Sequence, residues 1–225
     1  MRGAKVSTAL TASAIEELNL SFEHAPASKI LQWTFDTFGS DLVLACSFQD
    51  IVLVDLAVKI DPKVEVVFLD TEAHFPETLE FVEQVRSAYD LNLTVTKPGP
   101  DAAEWPCGTD ECCKRRKVGP LMKVVEQKAA WMTALKRVDA TTRTAAPIVS
   151  FDATFDVVKV NPMATWTDED IAFYEVDHDL LTHPLMSQGY RSIGCAPTTR
   201  PTAPGEDPRA GRWAGTGKVE CGLHE

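Results

Sequence analysis

The sequence predicts an α/β protein with a parallel sheet, and three observations support this prediction. Short apolar runs alternate with amphipathic stretches in a strand–helix–strand order, which requires crossover connections. The 225 residues suffice for one large core, and a composition of 44% apolar and 24% charged residues is ordinary for a globular protein. Residues 185–225 lose this pattern and are rich in Pro, Gly, Thr and Arg. We therefore expect an α/β domain followed by an irregular tail.

The first half of the chain contains three predicted strands and two predicted helices. The apolar runs 41–47, 63–71 and 91–96 are typical of strands. Residues 50–60 are apolar nearly all round, and residues 76–89 carry apolar side chains at helical spacing after an initial proline, so both predict helices. This order favours parallel strands joined by right-handed crossovers.

The second half repeats the alternation. The predicted elements are, in order, a helix within 112–128, strands within 129–135 and 155–163, and a helix within 165–176. Thr167 and Asp170 have the spacing of a capping box before the last helix. We therefore divide the chain into a lead segment (1–27), an α/β domain (28–184) and a C-terminal loop and tail (185–225).

Charge and hydropathy narrow the function classes. The formal net charge of −11, from 22 basic and 33 acidic side chains, disfavours nucleic acid or an anionic membrane as a partner. Seven basic residues lie in 1–100 and fifteen in 101–225, which suits a small anionic ligand, although any single one is more simply a solvated surface charge. No apolar run approaches the roughly 18–20 residues of a membrane span, and the N-terminus lacks the apolar core of a signal peptide. We expect a cytosolic protein with reduced thiols.

Two strand ends are candidate ligand sites, because ligands of open parallel sheets bind beyond the carboxyl ends of the strands. In the turn CSFQD, Ser47, Gln49 and backbone N–H groups at a helix start form a potential anion cradle. In LDTEAHFPET, Asp70 ends a strand, where an acid commonly binds a ribose or an amine. Ordinary capped turns explain each stretch equally well. The first turn lacks the glycines of a P-loop, which counts against an ATPase.

The chain has six cysteines, and their grouping favours metal binding or catalysis over disulfides. Cys112 and Cys113 are adjacent and precede the basic run KRRK, and cationic surroundings favour thiolate ligands. Cys195 follows on an irregular segment that could close over them. A vicinal disulfide or two idle thiols remain alternatives for the pair. Cys46 ends an apolar run and is expected in the core.

Together these blocks resemble the assimilatory sulfonucleotide reductases, specifically the iron–sulfur type that acts on adenosine 5′-phosphosulfate (APS). The resemblance runs from about residue 28 to the end and rests on the ordered blocks SFQ, LDTEAHFPET, ECCKRRKVGPL, WMTALKRVDATTR, VKVNPMATWTDEDI, GYRSIGCAPTTRP, DPRAGRW and ECGLH. It implies an adenine nucleotide alpha-hydrolase-like (Rossmann-like) fold for the nucleotide-binding reductase domain and a mobile tail that carries the catalytic cysteine.

The resemblance also implies a 4Fe–4S cluster bound by a Cys-Cys pair and a later Cys-x-x-Cys. Cys112, Cys113 and Cys195 match three of the ligands, but the fourth position holds Thr198, and a threonine hydroxyl is a poor iron ligand. Three alternatives follow: Cys107 supplies the fourth thiolate, one iron lacks a cysteine, or the cluster is absent or labile. We favour a cluster with Cys107 as the substitute.

For the substrate, the resemblance places Ser47 and Gln49 near the phosphosulfate. The cations that match positions gripping its phosphate and sulfate oxygens are Arg116, Lys117, Arg143, Arg209 and Arg212. We expect Cys221 to attack the sulfur of APS, which releases AMP and leaves an S-sulfocysteine. Reduced thioredoxin, the implied partner, would then release sulfite, and His224 is expected to tune the thiolate or help thioredoxin to dock.

Alternative functions stay open at this point. The same chemistry could act on the 3′-phosphorylated substrate, PAPS, because Thr198 weakens the inference from the Cys-Cys pair to APS. An ATP-using thiolation-type enzyme and a non-enzymatic iron–sulfur redox sensor are more distant alternatives. The sequence does not fix the oligomeric state, and a homo-oligomer is one option.

Overall fold

The strands of residues 10–223, the part of the chain that this computed structural model describes, form one six-stranded sheet. The strands are β1 (Leu42–Ala45), β2 (Val66–Leu69), β3 (Leu93–Thr96), β4 (Ala130–Thr133), β5 (Val149–Asp152) and β6 (Val157–Val160). Their order across the sheet is β3-β2-β1-β4-β6-β5. All neighbours are parallel except β5 and β6, which are antiparallel.

Helices precede, join and follow these strands. They are α1 (Ala12–Phe22), α2 (Ala27–Phe38), α3 (Val52–Val58), α4 (Pro76–Tyr89), α5 (Asp110–Cys113), α6 (Gly119–Val125) and α7 (Asp168–Asp177). A π-helical segment, Lys114–Val118, joins α5 to α6 without a break. Within residues 10–223, no helix combines the length and the apolar character that a membrane span needs.

The strands and helices predicted from periodicity are confirmed. The capping box is present as well, because Thr167 Oγ1 accepts the Asp170 N–H at 3.1 Å and Asp170 Oδ2 accepts the Thr167 N–H at 2.8 Å. The antiparallel edge strand β5 was not predicted. It lies at the edge of the sheet with Phe151 56% exposed, so it shows neither a buried run nor a clean alternation.

The lead segment 1–27 contains a helix that sequence patterning did not predict. Helix α1 packs against β5, and the side chain of Asn19 joins the two. Asn19 Nδ2 donates to the carbonyl of Val149 at 2.7 Å, and its Oδ1 accepts the N–H groups of Ile148 at 2.8 Å and Val149 at 3.0 Å. This stretch therefore extends the α/β layer, although residues 1–9 lie outside the described structure.

Replacing Asn19 with alanine is expected to lower the free energy of unfolding by about 1–3 kcal/mol, because it leaves backbone groups of the buried residues Ile148 and Val149 without partners. Chemical denaturation followed by circular dichroism would measure the loss. Ser21→Ala is the matched control, since the exposed Ser21 hydroxyl bonds only within its own helix, to the Leu18 carbonyl at 2.9 Å. Equal stability of the two variants would show that Asn19 does not hold the edge strand.

The sheet buries both of its faces. One face carries the larger core, in which Leu42 and Leu44 of β1 pack with helices α2, α3 and α4. The other face carries a smaller cluster, in which Val43 of β1 and Trp131 of β4 pack against α6. Because successive strand residues point to opposite faces, the apolar run of β1 supplies both cores.

Candidate active site

A cavity of about 420 Å³ opens beyond the carboxyl ends of β1 and β4. The chain runs outward from β1 to β2 and β3 on one side and to β4 and β6 on the other, so this is the point where the strand order reverses and where ligands of such sheets bind. A volume of this size falls within the roughly 300–1,000 Å³ of small-molecule sites. Its polar and reactive lining residues include Cys46, Ser47, Gln49, Lys117, Lys136, Arg143, Arg209, Arg212 and Cys221.

The turn after β1 forms one wall of the cavity. Phe48 is fully buried with a φ of 57°, and its N–H donates to Cys46 Sγ at 3.2 Å. This tight turn leaves Ser47 exposed at the cavity, as an anion cradle requires. Gln49 Oε1 accepts the N–H of Ile193 at 2.9 Å, so Gln49 also ties the turn to the C-terminal segment. Burial raises the pKa of Cys46 to about 12, which makes it a poor nucleophile.

Packing and hydrogen bonds hold the Arg212 side chain in the lining. Its guanidinium lies over the Trp213 ring, 4.6 Å from the ring centre, and Nη1 donates to Ser192 Oγ at 3.2 Å and to the Ile193 carbonyl at 3.1 Å. A Cβ on Gly194 would clash with the Arg212 guanidinium, so a larger residue there would displace it. Among the described residues, the buried Nε of Arg212 has no hydrogen-bond partner. Burial, followed by the charge of Arg209, lowers the pKa of Arg212.

Two predicted substrate residues lie outside the cavity lining. Arg116 donates from Nη2 to the Ala102 carbonyl at 3.1 Å and from Nη1 to the Thr71 carbonyl. Asp70 accepts the N–H of Glu72 at 2.9 Å and lies 3.4 Å from Lys97 Nζ. Both side chains therefore bind parts of the protein itself in this arrangement. Their contact with substrate stays a prediction.

Lysines that the predicted site omitted also line the cavity or lie beside it. Lys136 follows β4, is buried, and pairs with Asp139 at 2.9 Å. Burial opposes its charge, but Asp139 and Asp50 raise the pKa of Lys136 overall. Lys159 in β6 lies over the Trp131 ring, and burial lowers its pKa to about 8. A lysine inside a buried strand, or directly after one, was the sequence signal that could have identified both.

The C-terminal tail is irregular, as predicted, and it folds back onto the domain. Lys159 Nζ donates to the carbonyl of Leu223 at 3.4 Å, and within the tail Arg209 Nη2 donates to that of Val219 at 2.9 Å. Leu223 packs against the smaller core cluster. Cys221 is thereby held in the cavity wall. The predicted mobility of the tail stays a prediction, and His224 lies outside the described residues.

Glu220 is a buried acid that sequence analysis did not select. Its carboxylate receives two hydrogen bonds from Arg143, from Nε at 2.7 Å and from Nη2 at 2.7 Å. Burial alone would raise the pKa of Glu220, but the Arg143 guanidinium lowers it below its usual value. Glu220, next to Cys221, therefore places a negative charge among the cations of the cavity wall.

Comparison with known proteins matches residues 41–201 to the phosphoadenosine phosphosulfate reductase domain. Proteins named adenosine 5′-phosphosulfate reductase are similar over most of both chains. The one from Mycobacterium tuberculosis is 44% identical over 97% of this chain and 98% of its own, and the one from Mycobacteroides abscessus is 46% identical over 90% and 89%. The chain belongs to the phosphoadenosine phosphosulfate reductase domain family.

Solved structures agree with the fold of this family. The phosphoadenylyl-sulfate (PAPS) reductase of Candida auris superimposes with a TM-score of 0.76 at 24% identity, covering 86% of this chain and 100% of that one. The FMN adenylyltransferase of Candida glabrata gives a TM-score of 0.62 at 16% identity, covering 86% and 69%. The predicted adenine nucleotide alpha-hydrolase-like fold class is thus confirmed, with β5 as an antiparallel edge strand.

The thiols of this family member gather beside the cavity. Cys112, Cys113 and Cys195 are buried. Cys107 Sγ lies 3.9 Å from Thr198 Oγ1. A hydrogen bond between the Cys107 and Cys195 thiols lowers the pKa of Cys195 and raises that of Cys107. Cys107 therefore occupies the space beside position 198, where the resemblance expects a cysteine.

The donor chemistry of these thiols is compatible with the predicted cluster. Within residues 10–223, no three His, Cys, Asp or Glu side chains are grouped to hold one ion. A 4Fe–4S cluster takes four cysteine thiolates spread over its iron atoms, so its ligands need not converge on one point. Burial raises the pKa of Cys113, while Lys117 and Lys218 act in the opposite direction, so cations flank the pair. Soft thiol donors in cationic surroundings fit the predicted group.

Proposed function

We propose that this protein is an adenosine 5′-phosphosulfate reductase, which uses thioredoxin and releases sulfite and AMP in sulfate assimilation. Its relatives of that name, at 44–46% identity over nearly full length, support this proposal. One structural observation carries it: Cys221 lines the same cavity as Lys117, Arg209 and Arg212. A nucleophile for sulfur and cations for a phosphate leaving group thus share one site.

In the first half-reaction, the Cys221 thiolate attacks the sulfur of APS. A bond forms between Sγ and that sulfur, the bond from sulfur to the bridging phosphate oxygen breaks, and the electron pair leaves with AMP. Arg209, Arg212 and Lys117 stabilise the negative charge that develops on the leaving phosphate. Guanidinium groups suit this task because their planar forks match tetrahedral oxyanions. Cys221 then carries an S-sulfo group.

In the second half-reaction, a thiolate of reduced thioredoxin attacks Cys221 Sγ. The bond from Sγ to the sulfo sulfur breaks, sulfite leaves with the electron pair, and a mixed disulfide remains. The second thioredoxin thiol then releases the Cys221 thiolate and oxidised thioredoxin. This step needs Sγ to be accessible to a protein, so it requires the tail to leave the cavity wall. Free thiols of this kind fit the reducing cytosol, where we place the protein.

Sulfite release from APS, PAPS and ATP in parallel tests this function. The full-length protein, purified anaerobically and supplied with thioredoxin and thioredoxin reductase, is expected to release sulfite from APS faster than from PAPS. It is expected not to cleave ATP to AMP and pyrophosphate. Sulfite from neither sulfonucleotide would refute the proposal, and faster release from PAPS would reassign the substrate.

We further propose that Cys112, Cys113, Cys195 and Cys107 bind a 4Fe–4S cluster. The proximity of Cys107 to Thr198 and Cys195 supports Cys107 as the fourth ligand. When bound, the cluster would supply electrostatic and structural stabilisation beside the cavity, without net electron transfer. The chain's own contribution is the α5 cap, where Thr109 Oγ1 accepts the N–H of Cys112 at 3.2 Å and so fixes the start of the cysteine pair.

Iron and acid-labile sulfide content tests the fourth ligand independently of activity. Wild-type protein is expected to hold about four of each per chain. Cys107→Ser should lose most of both, and adding Thr198→Cys to that variant should restore them. Cys46→Ser is the matched control, because Cys46 lies in the cavity wall and is expected to keep full iron content. Unchanged iron in Cys107→Ser would exclude Cys107 as a ligand.

A further inference from the structure

A buried ion pair fastens the tail to the domain directly beside Cys221. Arg143 and Glu220 are 8% and 7% exposed and are joined by two hydrogen bonds of 2.7 Å. Thr142 Oγ1 donates a third hydrogen bond to the Glu220 carboxylate at 3.0 Å. Bidentate guanidinium–carboxylate pairs of this kind fix geometry as well as position. The backbone at residue 220, and with it the neighbouring Cys221, is therefore held in one place.

The contacts of Arg143 differ from those expected of a residue that grips the substrate. Its Nε and Nη2 donate to Glu220, and its Nη1 donates to Asp139 Oδ2 at 3.2 Å. Two carboxylates thus already balance its single charge while the tail is docked. Arg212, by contrast, donates to a hydroxyl and a carbonyl and keeps its charge for an anion. The contacts therefore assign Arg143 to the tail.

The docked tail leaves room for a ligand. The cavity of about 420 Å³ exists with Glu220 bound to Arg143, and Cys221 forms part of its wall. A nucleotide-sized site is thus complete when the tail is docked, whereas the half-buried thiol of Cys221, held in this wall, is less accessible to a second protein than it would be on an undocked tail. The docked arrangement suits sulfur transfer, and the undocked one suits reduction.

We propose that Glu220 is a positioning residue: its carboxylate binds Arg143 to seat Cys221 against the cavity during sulfur transfer, and this ion pair opens for reduction by thioredoxin. The inference rests on the proposed function and deepens it. Opening the pair exposes Glu220 and Arg143 to water together, so neither charge remains buried alone. Removing only Glu220 would leave the buried Arg143 with Asp139 at 3.2 Å, and removing only Arg143 would leave the buried Glu220 with Arg209 at 3.5 Å. Each of these buried charges would then be less well compensated, which is unfavourable.

Separate measurement of the two half-reactions tests this role. In Glu220→Gln, which keeps the shape but removes the charge, single-turnover formation of S-sulfo-Cys221 from APS is expected to slow roughly 10- to 100-fold. Reduction of the preformed adduct by thioredoxin is expected to stay at or above the wild-type rate. Cys221 in the ligand-free variant should also react faster with a neutral thiol reagent. Glu220→Asp, which retains the charge, should recover part of the adduct rate.

Asp110→Asn is the matched control. Asp110 forms another ion pair between tail and domain, with Lys218 at 2.7 Å, but its carboxylate is 98% exposed, so both half-reactions should stay within about twofold. The double variant Arg143→Gln/Glu220→Gln should lose little more than Glu220→Gln, because the two residues act as one unit.

The results of these experiments distinguish a failure of this inference from a failure of the proposed function. Unchanged adduct formation in Glu220→Gln, or an equal loss in both half-reactions, overturns the positioning role while wild-type turnover of APS still stands. Absence of any adduct from APS in the wild-type protein instead refutes the proposed function itself.

Discussion

Replacing Cys221 with serine is expected to lower sulfite release from APS by about 10³-fold or more, because a hydroxyl at neutral pH is a far weaker nucleophile than a thiol. The loss should appear in the first half-reaction. Mass spectrometry of wild-type protein mixed with APS, without thioredoxin, should show one added SO₃ group on the peptide that contains Cys221. The serine variant should show no such adduct.

The matched control for this loss is Cys46→Ser. Cys46 lines the same cavity, yet burial raises its pKa to about 12, so its thiolate is scarce at neutral pH. The Cys46 variant should therefore keep most of its activity. An SO₃ adduct on another cysteine in the Cys221 variant, together with residual turnover, would show that the nucleophile has been misassigned.

Arg212 carries the second large expected effect. Arg212→Gln is expected to reduce kcat/KM for APS by about 10²- to 10³-fold, because it removes a cation held in place by packing on Trp213 and Gly194. Since the same charge stabilises substrate and leaving group, the effect should appear in both kcat and KM. Steady-state kinetics with APS would measure it.

Gly194→Ala offers an independent route to the same result. The added Cβ would clash with Arg212 Nη2 and displace the guanidinium without removing its charge. We expect a similar direction of effect with a nearly unchanged melting temperature. Arg200→Gln is the control, because Arg200 is exposed and pairs with Glu206 at 2.6 Å away from the cavity lining. Activity of Gly194→Ala equal to that of this control would show that the position of Arg212 is not critical.

The structure shows which of the predicted site residues line the cavity and which do not. Ser47 and Gln49 line the cavity because they follow the central strand β1, and position after a strand is a local property. Lys117 lines the cavity whereas the adjacent Arg116 binds backbone carbonyls. Neighbouring residues of a helix point in different directions, so one basic run cannot aim all its side chains at one ligand.

In the lead segment, too, a local signal is visible in the sequence but a long-range contact is not. Helix α1 begins at a local cap, because Thr11 Oγ1 accepts the N–H of Ala14 at 3.2 Å. Its place against β5 depends on Asn19, whose partners lie about 130 residues further along the chain. No local pattern marks such a contact.

The sequence by itself determined the strands and helices of the parallel core and the irregular character of the tail, since periodicity, caps and turn residues act over a few positions. Tertiary structure alone decided that Arg143 meets Glu220 across 77 residues and that Cys107 lies beside Thr198 across 91. These pairings depend on the order of the strands and on the path of the tail back over the domain. Residues so far apart in the chain meet only when the whole domain has folded.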